Sequence, residues 1–359
     1  MNMSRFMSYS EHGLRNGFAR EFNFFEMNKR LIKRHCSKEI FLAFDPTHIA
    51  KSGKHTRGLG YFWSGKDGRA KKGLELGCLA AIDVKNRTAF HLSGVQTPSS
   101  KERKKEKKSL IAHYRDFILS KIGALKEMSL CLVADGYFMK KQFILPLVKQ
   151  GITLITKMRS DANLRYIYCG KQKTGRGRKR KHAGKVNWKK LQMDKWTKMF
   201  SNRKEACYTA VLYCVTLKMN VRIVYILNRE TGNHGIFLST NSNMDAKKIV
   251  TYYRMRFQIE FLIRDAKQCS GLEDCQARDK KKLNFHFNLA LTNVSIAKAQ
   301  YYLPIPKKER GAFSLQDIKR IQHNTLLADF IFSNLELDLN CKKIKQLYTQ
   351  CANFGRMAA

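Results

Sequence analysis

Residues 252–267 read Tyr-Tyr-Arg-Met-Arg-Phe-Gln-Ile-Glu-Phe-Leu-Ile-Arg-Asp-Ala-Lys. On a helix turning about 100° per residue, Tyr253, Arg256, Glu260, Arg264 and Lys267 fall within a sector of about 80°. Ile259, Leu262 and Ile263 lie on the other side, so one face is ionic and the other can enter a core. The carboxylate suits a divalent metal, and its cationic and phenolic neighbours suit phosphate. An i,i+4 ion pair from Arg256 or Arg264 to Glu260 accounts for the same stripe more plainly. Two further acids stand where apolar runs stop. Asp45 follows Glu39–Phe44 and precedes Pro46; Asp135 follows Ser129–Ala134 and precedes Gly136.

These acids need elements to hold them. Residues 252–267 contain no Gly or Pro, and Asp245 offers an N-cap, which predicts one helix from about 245 to 269. Pro46 is expected to stop the first strand just after Asp45, delivering the carboxylate to a strand end, although a turn or cap role fits Asp45 equally. Gly136 permits a sharp turn, and Phe138 is expected to open a helix of about twelve residues. Leu74–Val84 and Arg87–Val95 read as strands around an Asp83–Asn86 turn, where Asp83 caps rather than binds metal. Ile152–Met158 and Gly235–Ser239 read as further strands. Residues 20–35, 99–126, 278–299, 314–333 and 341–351 read as helices, with Pro304–Pro306 as a break.

Two stretches fit nucleic acid by composition. Residues 51–73 are rich in Gly and Lys and contain Tyr61, Phe62 and Trp63, a basic loop whose rings can stack or fold back on the core. Lys171–His182 is almost wholly cationic, with Arg176, Arg178, Lys179 and Arg180 at its centre, and sits among the strand-like runs Leu164–Tyr168, Tyr208–Leu217 and Asn220–Leu227. It reads as a DNA-backbone contact in a β-rich insertion. Trp188 and Trp196 suit either base stacking or core packing.

The totals agree. Lys and Arg number 69 against 28 Asp and Glu, a net charge of +41 over 359 residues, which calls for a polyanionic partner. The sequence lacks an apolar run of membrane-spanning length, a signal-peptide pattern and a lipidation motif, so no membrane partner is expected. Ten cysteines without a Cys-x2-Cys pair read as reduced, mostly buried thiols of a cytosolic protein.

The spacing Tyr253-x2-Arg256-x3-Glu260-x6-Lys267 resembles the Tyr-Arg-Glu-Lys signature of a large family of bacterial insertion-sequence transposases with a DDE catalytic core. Asp135-Gly136-Tyr137-Phe138 resembles that family's second-aspartate motif. The resemblance spans about residues 39–300. It implies an α/β fold, a ribonuclease H-like mixed-sheet core with a β-rich insertion and flanking helices. The divisions are a short basic helical segment at 1–38, core halves at 39–158 and 235–300, the insertion at 159–234 and a helical region at 301–359.

The resemblance also implies cut-and-paste transposition. Asp45, Asp135 and Glu260 would hold two Mg²⁺ ions about 3.5–4 Å apart, Mn²⁺ substituting, with Asp45 bridging them. Hydrolysis at the element's end would precede attack of the freed 3′-hydroxyl on target DNA. Tyr253, Arg256 and Lys267 match phosphate-contacting positions, while a salt bridge to Glu260 explains Arg264 equally well. The expected partners are double-stranded DNA, as terminal inverted repeats and target, and a second copy of the chain in a DNA-bound homodimer, assembled through the C-terminal helices. The implied setting is a bacterial cytoplasm, at the nucleoid. One departure stands out: only 44 residues precede Asp45, fewer than the family's usual repeat-recognising region, which reads as a shortened copy. A ribonuclease H-like nuclease or resolvase that cuts without joining would share the three acids. In an inactive DNA-binding relic they would be incidental.

Overall fold

The computed structural model describes residues 8–172, 174–188 and 190–357. Its centre is a mixed sheet. Strand β1 (Ile40–Ala50) runs antiparallel to β3 (Arg69–Asp83), which also pairs with β2 (Gly60–Ser64) and β4 (Thr88–Gln96). On the other side of β1 lie β5 (Cys131–Ala134) and β6 (Thr153–Met158), both parallel to it. The order β4-β3-β1-β5-β6, three antiparallel strands followed by two parallel ones, is the ribonuclease H-like arrangement. Its central strands are apolar on both faces because helices cover both faces. Leu42, Phe44, Leu132 and Ala134 join one core; Phe41, Ala43 and Val133 join the other.

The insertion extends the same sheet. β12 (His234–Ser239) pairs antiparallel with β6 and continues through β11 (Met219–Asn228), β10 (Glu205–Cys214), β7 (Leu164–Ile167) and β8 (His182–Lys185), with β9 (Thr197–Ser201) on β10. Trp196 is buried here and its indole N–H donates to Tyr166 Oη at 3.2 Å; Trp188 stacks on Tyr225. Both tryptophans take the packing role.

Several expected elements are divided differently. β1 does not stop at Pro46 but runs on to Ala50. Its parallel pairing to β5 ends at Phe44, so beyond that point β1 has no strand on its β5 side and tolerates a proline as an edge strand does. The helix expected over 245–269 is two, α7 (Ala246–Met255) and α8 (Gln258–Cys269). At the junction Ile259 N–H bonds Arg256 C=O and Glu260 N–H bonds Phe257 C=O, both at 3.0 Å. These i→i−3 bonds tighten the ladder where α7 gives way to α8. The two halves follow different strands: α7 packs on β6, β11 and β12, and α8 on β1, β3 and β4.

Residues 99–126 form α3 (Ser100–Lys105), α4 (Leu110–Leu119) and α5 (Ile122–Lys126). Lys107 at φ 52° breaks the first from the second, and Ser109 caps anew. The helix expected from Phe138 is a 3₁₀ turn, Gly136–Phe138, followed by α6 (Lys141–Lys149). Gly136 serves by close approach: a Cβ there would lie 3.2 Å from the Lys157 carbonyl. Helices α1 (Glu11–Gly17) and α2 (Phe24–His35) precede the sheet; α9 (Lys280–Ala297) packs on β4, and α10 (Leu315–Asn334) with α11 (Lys342–Asn353) form a terminal hairpin. Among the described residues, no helix is long and apolar enough to cross a membrane.

Candidate active site

Phe44 of β1 pairs with Ala134 of β5, and the next residue on each strand is an aspartate. Because side chains alternate along a strand, Asp45 and Asp135 share the face of Ala43 and Val133, the face that α7, α8 and α9 cover. Asp135 opens the 3₁₀ turn without using its side chain as a cap, so its carboxylate stays free for other partners. Thr156 Oγ1 donates to the Asp135 carbonyl at 3.0 Å and steadies the turn. Asp83 does the opposite. Its carboxylate accepts from Ser37 and Asn86 side chains and amides at 2.6–3.0 Å, a capping role far from metal chemistry.

Arg256, which caps α7, and Glu260, in the first turn of α8, both reach this corner. Arg256 Nη1 lies 3.6 Å from Asp45 Oδ1, and its Nη2 donates to Glu260 Oε1 at 3.0 Å. Tyr253 Oη donates to Asp135 Oδ1 at 3.4 Å, its ring resting on Phe237 with centroids 4.7 Å apart. The structure thus brings together Asp45, Asp135, Glu260, Tyr253 and Arg256. The Asp45 side chain keeps 21% of its exposure and Arg256 only 13%, while Glu260 keeps 37%.

Burial pushes the Asp45 carboxyl up to about 7 against the pull of Arg256, and the negative charges of Glu260 and Asp135 add to the rise. Burial likewise raises Tyr253 to about 12, with Asp135 reinforcing the shift and Arg256 opposing it. Although burial alone would lower it, Arg256 is held above its usual value by Asp45, Tyr253, Glu260 and Asp135. Three carboxylates therefore face one guanidinium, whose Nε is buried without a hydrogen-bond partner.

The remaining candidates take other positions. Lys267 reaches back from α8 to donate to the His48 carbonyl of β1, and pairs with Glu273 at 3.1 Å. Arg264 does not pair with Glu260. Its guanidinium turns to the buried Asp265, at 3.0 Å. Arg176, Arg178, Lys179 and Arg180 are exposed on the β7–β8 loop, distant in the sheet order from the carboxylates. Arg180 lies 4.7 Å over the Tyr168 ring, and its backbone is braced by Gln172. The positioning roles of Thr156, Phe237 and the His48 carbonyl have no local signal in the sequence.

The donor set fits hard divalent cations. It is all oxygen, it converges from two strands and a helix, and its mutual repulsion is opposed by one cation. As the side chains stand, no three His, Cys, Asp or Glu residues among those described are close enough to hold a metal ion together. Asp45 and Glu260 are drawn to Arg256 instead, and Asp135 to Tyr253.

A ribonuclease H-like sheet with acids following two adjacent parallel strands, and a third on a covering helix, defines the nucleotidyl-transfer class of fold. Within that class, the family profile described as Transposase DDE domain matches residues 37–294, from just before β1 to within α9. The chain belongs to this family, and by membership it is a transposase of the DDE class. No curated protein matches the chain.

Proposed function

We propose that the chain catalyses cut-and-paste movement of an insertion sequence, with Asp45, Asp135 and Glu260 as its catalytic carboxylates. The observation that carries the reading is their convergence, with Tyr253 and Arg256, where β1 leaves β5. The three carboxylates would hold two Mg²⁺ ions, or Mn²⁺ in their place. Such ions, when bound, activate water or a 3′-hydroxyl and stabilise the attacking and leaving oxygens of the phosphodiester.

The chain's own residues supply the rest. Arg256 changes partner, from Asp45 and Glu260 to a phosphate oxygen pair, for which its planar fork is suited. Tyr253 holds the Asp135 carboxylate through its hydroxyl and offers the same group to a phosphate. Lys267 fixes α8 to β1 and so sets the height of Glu260 above Asp45, besides adding a point charge near the phosphate path. The exposed arginines and lysine of the β7–β8 loop neutralise backbone phosphates of the element's terminal repeats or the target duplex. Two copies of the chain act on the two element ends.

The test is cleavage of DNA carrying the element ends, in Mg²⁺ or Mn²⁺, by the wild-type chain and Glu260→Gln. Nicking that the substitution abolishes while DNA binding persists supports the three-carboxylate reading. Equal cleavage by both proteins refutes the role of Glu260. Cleavage without strand-transfer products makes the chain a nuclease that does not join.

A further inference from the structure

Within residues 51–73, β2 and the start of β3 form a hairpin whose aromatics are sorted by strand alternation. Phe62 is buried, 6% exposed, and anchors β2 on the core; Tyr61 and Trp63 are 74% and 64% exposed. Neither outward ring has an aromatic or cationic ring contact among the described residues, so no packing explains them. Exposed rings of this size at alternate positions on a strand are costly to leave in water.

Their face can be traced to the carboxylates. Tyr61 stands opposite Lys72 and Trp63 opposite Ala70 in the β2–β3 ladder, and Asp45 stands opposite Cys78 in the β1–β3 ladder. Directly opposed residues share a face, and positions 70, 72 and 78 of β3 share one by alternation. Tyr61, Trp63 and Lys72 therefore extend the sheet face that carries Asp45. Cys78 lies six steps along β3 from Lys72, about 20 Å at a strand's rise. That equals about six nucleotides at roughly 3.4 Å each.

The spacing and charge point to one occupant. Side chains two apart on a strand stand about 6.6 Å apart, room for one base between two rings at stacking distance. Between residues 51 and 73 there are seven Lys or Arg, at 51, 54, 57, 66, 69, 71 and 72, and one acid, Asp67. Asp67 is occupied by Ser64 at 2.6 Å and Lys71 at 3.2 Å, so its charge is spent within the turn.

We propose that Tyr61 and Trp63, with Lys72, form a stacking site for an unpaired nucleotide of the DNA strand, about six nucleotides from the scissile phosphate. The proposal rests on the transposase reading of the carboxylate site. It gives the hairpin the job of holding DNA strands apart beside that site.

The test uses the full chain with forked duplexes unpaired five to seven nucleotides from the cleavage position, against fully paired duplexes of equal length. Trp63→Ala and Tyr61→Ala are expected to weaken forked-DNA binding by roughly 5- to 100-fold, the range for losing a stacked ring, with little change for paired DNA. Trp63→Phe retains most of the affinity. Forked DNA should also quench the Trp63 share of the fluorescence and shield it from acrylamide, a share isolated by difference from Trp63→Phe; Trp188 and Trp196 are packed against Tyr225. Equal losses on forked and paired DNA, or no loss on either, overturn the stacking site. Wild-type cleavage at the carboxylates with Trp63 unquenched overturns it while leaving the transposase reading standing. Failure of the wild type to bind any DNA overturns both.

Discussion

Arg256 lies between Asp45 and Glu260, 3.6 Å from the first and 3.0 Å from the second. One guanidinium thus neutralises two of the three carboxylates proposed to hold metal, and Tyr253 engages the third. The same cation competes with metal for the carboxylates and serves as the phosphate clamp. Arg256→Ala should therefore bind Mn²⁺ at least as tightly as the wild type, read by calorimetry or Mn²⁺ relaxation. Cleavage should fall about 10²–10³-fold, as for removal of a buried donor to developing charge. Weaker Mn²⁺ binding would mean that Arg256 positions the carboxylates rather than competing for them.

Lys267 bonds the His48 carbonyl and Glu273, and is one-quarter exposed. It ties α8, and with it Glu260, to the strand that carries Asp45. Replacing it with Met should cost about 1–3 kcal/mol of stability, as for a hydrogen bond from a charged group. Urea unfolding monitored by circular dichroism measures this. Unchanged stability with weakened DNA binding would leave Lys267 as a phosphate contact alone.

How much of this could be read from the sequence differs by residue. Asp45, Asp135 and Glu260 were visible as acids after apolar runs or on an amphipathic helix, because each signal is local. The run of β1 through Pro46 was not, since it depends on where β5 ends, a partner 90 residues away in the chain, as the Phe44–Ala134 pairing shows. The break at Arg256–Phe257 was equally hidden. No Gly or Pro marks it; the division falls where α7 and α8 follow different strands. The ion-pair partner of Arg264 was hidden for a similar reason. Helical spacing offers it Glu260, but the structure buries Asp265 beside it, and the nearer, less solvated carboxylate wins.

His91 gives the fold a dependence on pH. It is fully buried; its Nε2–H donates to Asn288 Oδ1 at 3.0 Å, and its Nδ1 lies 3.6 Å from Cys78 Sγ, on the residue opposite Asp45. Burial lowers its pKa to about 4 against the pull of Asn288. The unfolded chain takes up this proton near pH 6.5 and the folded chain only near 4. The contribution of His91 is therefore present in full above about 6.5 and is lost as pH falls from there toward 4. Between pH 7 and pH 5 the loss of this contribution lowers the urea midpoint while proton uptake by Asp45 raises it, and His91→Gln should remove part of the lowering and leave the Asp45 share. His113 and His286, also lowered by burial, retain the remainder. An unchanged pH profile in His91→Gln would show that His91 does not titrate with unfolding.

The β7–β8 loop gives a prediction that separates charge from chemistry. Arg176, Arg178, Lys179 and Arg180 are exposed, and their strands lie on the far side of the sheet order from β1 and β5. Each phosphate they neutralise releases counterions, which steepens the decline of binding with salt by about 0.9 per contact on duplex DNA. Replacing all four with Gln should reduce the slope of log affinity against log salt by about 2–4. The loss should be uniform across DNA sequences, because a backbone contact carries no base information. Arg180 is partly committed to Tyr168, so its single substitution should change the slope least. Cleavage at saturating DNA should be preserved in the fourfold variant, since none of these groups approaches the carboxylates. A fourfold variant that binds with unchanged salt dependence would assign the loop to something other than the DNA backbone.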